Sequence, residues 1–188
     1  MIPTASQTVG PYLHLGLTDS KAVSRIAGEG VQGERVRIMC RVLDGDGVSV
    51  PDAMIELWQA DADGRYPCPS DPQSEMVDSA FRGFGRLPTR EDGTCIFETI
   101  RPGRVPGADE GFQAPHINVS VLGRGLLQRL ATRIYFAGDP ANAADPVLAL
   151  VPEDRRATLM AQPDATLSGN WLFDIRLCGE RETVFFDL

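Results

Sequence analysis

The chain predicts an all-β protein: an antiparallel β-sandwich or open barrel with long loops, an N-terminal arm and one short helix. Three observations carry this expectation. Short segments alternate apolar and polar residues at period 2, the pattern of a half-buried strand. Turn-forming clusters, among them Asp44-Gly45-Asp46-Gly47, Asp92-Gly93 and Gly123-Arg124-Gly125, separate those segments at regular intervals. Only the stretch beginning Pro152-Glu153-Asp154 has a fair helix signal, with proline early and acids at the positive end of the helix dipole.

Taken in order, residues 1–33 read as an irregular arm and 34–188 as the core. Pro11 after Gly10 favours a turn. Tyr12, Leu13, Leu15 and Leu17 are too apolar for a free tail, so the arm is expected to pack on this chain or on a partner. Arg35 to Leu43 is the clearest strand, with Val36, Ile38, Cys40 and Val42 on one face. Further strands are expected at Ala53–Gln59, Thr94–Ile100, His116–Leu122, Gln128–Phe136, Trp171–Leu177 and Thr183–Leu188. Loops fill residues 65–78 and 101–107. The acidic run Asp61-Ala62-Asp63-Gly64 lacks the further ligands and distal Glu of a calcium loop, and reads as a turn. The helix is expected to reach about Ala161.

Composition narrows the function. The 188 residues, 43% hydrophobic and 23% charged, suit one globular domain. A formal net charge of −8 argues against nucleic acid and anionic membrane as partners. No apolar run has the length of a membrane span, and the N-terminus lacks the pattern of a signal peptide. The four cysteines form no Cys-x-x-Cys pair, so a reducing, cytoplasmic setting is expected, with Cys40 and Cys178 as core thiols.

The chemistry centres on Gln113-Ala114-Pro115-His116-Ile117-Asn118-Val119. On a strand, His116 and Asn118 share one face, about 7 Å apart. Two histidines so placed would serve one transition metal, but here the second is an amide, which binds such metals poorly.

Several separate stretches, in the same order, resemble the intradiol ring-cleaving dioxygenases. They are Leu57-Trp58-Gln59-Ala60-Asp61-Ala62-Asp63-Gly64-Arg65-Tyr66, Phe84-Gly85-Arg86, Thr99-Ile100-Arg101-Pro102-Gly103, Ala114-Pro115-His116-Ile117-Asn118 and Ile134-Tyr135-Phe136. The N-terminal Ser6-Gln7-Thr8-Val9-Gly10-Pro11-Tyr12 and the C-terminal stretch from Gly179 to Asp187 resemble the α-type subunits of the protocatechuate-cleaving branch. The similarity spans essentially the whole chain.

The resemblance implies a ferric site with two tyrosine and two histidine ligands. Tyr66 and His116 match one of each, whereas Val105 and Asn118 stand at the other two positions. Gln113 stands where active members carry an arginine. This implies a chain that keeps the fold without holding iron, paired with a homologous β subunit that binds Fe(III). The pair would use O2 to cleave protocatechuate to 3-carboxy-cis,cis-muconate, and pairs would assemble further. The resemblance also implies that Thr8, Gly10, Pro11, the adjacent Tyr12, and Arg133 lie on the substrate side of the partner's cleft. Arg133, opposite Ile134 and Phe136 on its strand, has the donor fork that suits a carboxylate. From spacing alone, an exposed arginine in a weak ion pair is the plainer reading. Two other readings stay open: a self-contained metal enzyme using Tyr66 and His116, and a structural module with no part in catalysis.

Overall fold

The computed structural model describes residues 5–19, 21–107 and 111–187. Eight strands form the main sheet: β1 (Arg35–Leu43), β2 (Met54–Gln59), β3 (Phe84–Pro88), β4 (Thr94–Ile100), β7 (His116–Leu122), β8 (Leu130–Phe136), β9 (Met160–Pro163) and β10 (Asn170–Arg176). A separate two-residue pair joins β5 (Val105–Pro106) to β6 (Phe112–Gln113). The protein is therefore mostly β, as its alternation predicts. Among the described residues no helix is long and apolar enough to cross a membrane.

The sandwich expectation needs correction. The strand order is β3-β2-β7-β8-β9-β10-β1-β4, so the halves that would face each other as two sheets are joined edge to edge through β9. The β8–β9 and β1–β10 pairings are parallel, and the other main-sheet pairings are antiparallel. The sheet curls until its two edges nearly meet, giving a barrel-like form. Gly85 on β3 permits this approach: a Cβ there would stand 2.8 Å from the Phe97 ring of β4. The segment after the first part of the arm fills the seam. Val23 exchanges hydrogen bonds with Arg86 of β3 (2.7 and 2.9 Å), while the Glu98 N–H of β4 donates to Ser24 O and the Ile26 N–H donates back to Glu98 O, both at 2.9 Å. Two edges that would otherwise present unpaired backbone groups are thereby satisfied.

The inward face of each strand is the apolar one. Val36, Ile38, Cys40 and Val42 meet Ile55 and Leu57, Ile117 and Val119, Ile134 and Phe136, and Phe173 and Ile175 in one core. A smaller cluster of Ala114, Tyr135, Leu148, Val151 and Leu159 lies behind the start of β7.

Three local expectations also change. The helix expected from Pro152 is a 3₁₀ segment, Glu153–Leu159. Its continuation is taken by β9, where Met160 and Ala161 pair with Tyr135 and Phe136, leaving too few residues for a stable α-helix. The final strand reduces to one bridge, Phe186 to Ala131, and Leu188 lies outside the described residues. Cys178 is exposed: β10 ends at Arg176, and the thiol sits in the following turn against Gly45, whereas Cys40 is buried as expected.

Two loops are pressed together to shape one end of the barrel. Asp61 closes the first, its Oδ1 accepting the N–H groups of Asp63 and Arg65, both at 2.9 Å, as the turn reading requires. Its carbonyl accepts the Gly103 N–H of the second loop at 2.8 Å. Gly64, at φ +84°, lies so close to Arg104 O that a Cβ would overlap it. An alanine there would combine left-handed strain with a backbone clash. Gly64→Ala is expected to destabilise the protein by roughly 2–4 kcal/mol in urea unfolding; an unchanged midpoint would mean that this contact is not required.

Candidate functional site

Strand pairing assembles the site. In the β7–β8 register His116 faces Tyr135 and Asn118 faces Arg133, and Trp58 of β2 flanks Asn118 on the other side. All lie on the side of the sheet opposite the core. The two pressed loops add Tyr66 and Val105, and β6 adds Gln113. Tyr66, Val105, Gln113, His116, Asn118 and Arg133 line one cavity of about 480 Å³. The four positions matched to iron ligands thus converge, although they come from separate parts of the chain.

Each group is held by identifiable contacts. The Tyr66 N–H donates to Asp71 Oδ2 at 2.7 Å, and its ring stacks on Trp58 with centroids 5.6 Å apart. Burial pushes the Tyr66 phenol up from its ordinary pKa, while the Arg133 charge and the Asn118 amide partly oppose that shift. His116 is 3% exposed, and its Nδ1 lies 2.8 Å from Ala114 O. That carbonyl only accepts, so Nδ1 carries the proton and Nε2 is the free nitrogen. Burial first, and then the nearby Arg133 charge, lower the imidazole pKa to about 4. His116 is therefore neutral at pH 7.

Arg133 Nη1 donates to Gln113 Oε1 at 2.7 Å and makes a longer contact of 3.4 Å with the Tyr135 hydroxyl. That hydroxyl donates to Asp145 Oδ1 at 3.1 Å. Asp145 also accepts the Ala114 N–H (2.7 Å) and the Leu148 N–H (2.7 Å). Burial, with a smaller contribution from Asp145, pushes Tyr135 up to about 12 against the opposing effect of Arg133. The sequence gives no role to Asp145, and Tyr135 stands there only within the Ile134-Tyr135-Phe136 stretch. A signal for Asp145 was present: Asp-Pro is a helix-start pattern, and Asp145 caps the short helix Pro146–Ala149.

This donor set does not fit a ferric ion. Val105 has no donor atom, and the Asn118 amide is a weak neutral one. Tyr66 and His116 alone would leave the ion underbound, and the fixed charge of Arg133 would oppose its entry. Among the described residues no group of three or more His, Cys, Asp and Glu is able to hold a metal. His14 is far along the chain, 2.9 Å from Thr18 Oγ1 and 3.3 Å from Asp52.

The arm residues lie elsewhere. Thr8 Oγ1 accepts the Gly125 N–H at 2.7 Å, which places it at the β7–β8 turn, the opposite end of β7 from His116. Gly10 and Pro11 are exposed, and Tyr12 is 83% exposed. Pro11–Leu13 forms one helical turn, and wider π-type turns continue through His14–Asp19. The structure brings Arg133 together with the ligand positions but not with the arm. Arg124 precedes Gly125 in that turn; its side chain is 77% exposed with one long ion pair, 3.9 Å, to Asp52.

Comparison with known proteins agrees with this geometry. The dioxygenase family model matches residues 9–179. The chain is 46% identical to the protocatechuate 3,4-dioxygenase alpha chain of Burkholderia cepacia, over 98% of this chain and 97% of that one. It is 38% identical to the beta chain from the same organism, over 80% of this chain and 67% of that one. Among solved structures, catechol 1,2-dioxygenase from Acinetobacter sp. ADP1 shares the fold with a TM-score of 0.63 and 24% identity, over 81% of this chain and 55% of that one. The barrel-like sheet, the converging ligand positions and the near full-length similarity together show that this chain belongs to the dioxygenase family.

Proposed function

We propose that this chain is the non-iron α subunit of a protocatechuate 3,4-dioxygenase, acting with a homologous β subunit that holds the Fe(III). The observation that carries the reading is one cavity that gathers all four positions matched to iron ligands while two of them, Val105 and Asn118, cannot serve a ferric ion. The near full-length similarity to an alpha chain, with a beta chain as a second relative, supports it. In this reading the pair inserts both atoms of O2 between the hydroxyl-bearing carbons of protocatechuate, and the isolated chain is inactive. The setting is the cytoplasm.

The role of this chain is then to shape a wall of the partner's cleft. Tyr12 and Leu15 are 83% and 60% exposed, an apolar surface on the arm that suits a protein partner. Thr8, Gly10, Pro11 and Tyr12 supply that wall, with Gly10-Pro11 as a rigid kink. Arg124, one residue before the Gly125 that Thr8 contacts, is the cation we assign to the same wall. The resemblance also assigns Arg133 to the substrate side of the partner's cleft; within this chain it lines the cavity of Tyr66 and His116, beside Gln113.

The test is metal analysis and protocatechuate cleavage by the chain alone and after co-purification with its β subunit. The expected result is an iron-free, inactive chain and a pair holding one iron and turning over. Arg124→Gln in the pair is expected to raise KM severalfold at unchanged iron content. Stoichiometric iron and turnover in the chain alone would contradict the reading, and an unchanged KM would remove Arg124 from the cleft.

The buried, neutral His116 gives a separate pH prediction. An imidazole at about 4 in the folded state and 6.5 unfolded binds its proton more readily unfolded. Its effect on stability is therefore absent above pH 6.5 and grows as pH falls towards 4, approaching roughly 3 kcal/mol. His116→Gln should flatten the fall in Tm between pH 6.5 and 4 relative to the wild type. Parallel Tm–pH curves would show that His116 titrates normally.

A further inference from the structure

A strained backbone position lies at the other end of the barrel from the cavity. Among the described residues, Asp52 is the one non-glycine residue at positive φ, +66°. Glycine adopts this conformation freely, whereas aspartate does so at some cost. Buried Thr89 fixes the turn. Its carbonyl accepts the Asp52 N–H at 3.3 Å, and its hydroxyl accepts the Ala53 N–H at 3.0 Å and donates to Val50 O at 2.8 Å. Such strain persists where the surroundings over-determine it. What this position presents, and glycine would not, is a carboxylate.

That carboxylate meets two other parts of the chain. Its Oδ1 lies 3.3 Å from Nδ1 of His14 in the arm, and its Oδ2 lies 3.9 Å from Nη2 of Arg124 in the β7–β8 turn. The next residue of that turn, Gly125, donates its N–H to Thr8 Oγ1 of the same arm at 2.7 Å. The arm is thus tied at Thr8 and again at His14, and Asp52 joins the second tie to the turn that makes the first. Between the two ties, Gly10, Pro11 and Tyr12 are exposed.

The tie at His14 depends on its proton count. The Thr18 hydroxyl donates to His14 O at 2.9 Å and lies 2.9 Å from Nδ1. Its one proton is used, so towards Nδ1 it accepts, as Asp52 does. Nδ1 therefore carries the proton of the neutral ring, and Nε2 takes the second. An imidazole gains its charge between roughly pH 8 and 5, and here the charge appears beside a carboxylate. Arg124 meets Asp52 on the oxygen turned away from His14. Arg86 of β3, the strand packed against the π-type turns, donates to Glu56 at 2.8 Å, and Asp19 and Lys21 at the far end of those turns are exposed. The side chains of His14 and Asp52 are 52% and 44% exposed, so the pair shifts a population severalfold and does not lock it.

We propose that Asp52 is a positioning residue for the arm: it clasps His14, holds Arg124 alongside, and fixes the exposed Gly10–Tyr12 segment, more firmly once His14 is protonated. The clasp stands on contacts within this chain. Its service to the partner's cleft rests on the α-subunit reading.

The first test is the rate at which chymotrypsin cuts the arm of the full chain after Tyr12, compared between variants at the same pH. Asp52→Asn removes the charge and keeps a side chain that tolerates positive φ. It should be cut about threefold faster than the wild type at pH 6, with the ratio falling towards one at pH 8.5. His14→Gln should match Asp52→Asn at pH 6. His14→Lys, charged at both pH values, should keep the slow cleavage of the wild type at pH 6 and retain it at pH 8.5. Equal rates for wild type and Asp52→Asn at pH 6, or a difference that neither pH nor His14→Lys alters, would overturn the clasp. In the pair with the β subunit, Asp52→Asn should raise KM for protocatechuate severalfold at pH 6 with kcat unchanged; an unchanged KM would remove Asp52 from positioning. A wild-type pair without turnover counts against the α-subunit reading alone, because the cleavage assay needs no partner and still decides the clasp.

Discussion

One buried carboxylate holds the site together. Asp145 is 1% exposed and accepts hydrogen bonds from the Ala114 N–H, the Leu148 N–H and the Tyr135 hydroxyl. Burying a carboxylate is costly unless its oxygens are engaged, and here both are. The consequences run outward. Fixing Ala114 places the carbonyl that orients His116, and fixing the Tyr135 hydroxyl sets the environment of Arg133. Arg133 in turn holds Gln113 at the cavity edge. Loss of the Asp145 carboxylate would leave several buried donors unsatisfied at once, so the arrangement behaves as a unit rather than as separate contacts.

The frame of the cavity stands independently of the four positions matched to iron ligands. The contacts that shape the cavity, Asp145 with its donors, Asp61 with its turn, and Gly64 against Arg104, involve none of the four ligand side chains. Val105 satisfies the demands of its buried strand pair as an apolar residue, and Asn118 occupies a half-buried position beside Tyr66. Neither residue disturbs the frame. The guanidinium of Arg133, second to burial, keeps His116 neutral and partly offsets the burial shift of Tyr66.

Much of this was legible in the sequence because period-2 alternation marks strands that bury one face. Arg35–Leu43, Thr94–Ile100 and His116–Leu122 coincide with the expected strands, and His116 and Asn118 do share a face. The sequence concealed features set by distant contacts. β9 is four residues of mixed character, and its parallel pairing to β8 is invisible to local periodicity. Merging two sheets into one curled sheet depends on that short strand and on the Val23–Ile26 seam, neither of which carries a strand signature. The ligand positions were found through resemblance, whereas the Asp145–Tyr135–Arg133–Gln113 chain emerges only once β8 lies beside β7. The placement of Thr8 by Gly125 likewise depends on a contact across 117 positions of sequence.

We propose that the cavity between Tyr66 and His116 holds no iron while the working iron sits in a homologous partner. Anomalous diffraction at the iron absorption edge, from crystals of the co-purified, catalytically active pair, tests this most directly. One iron peak per pair, lying in the β subunit with none between Tyr66 and His116, is the predicted result. A peak bonded to Tyr66 and His116 in this chain would contradict the account, because two ligands judged insufficient would then be holding the metal.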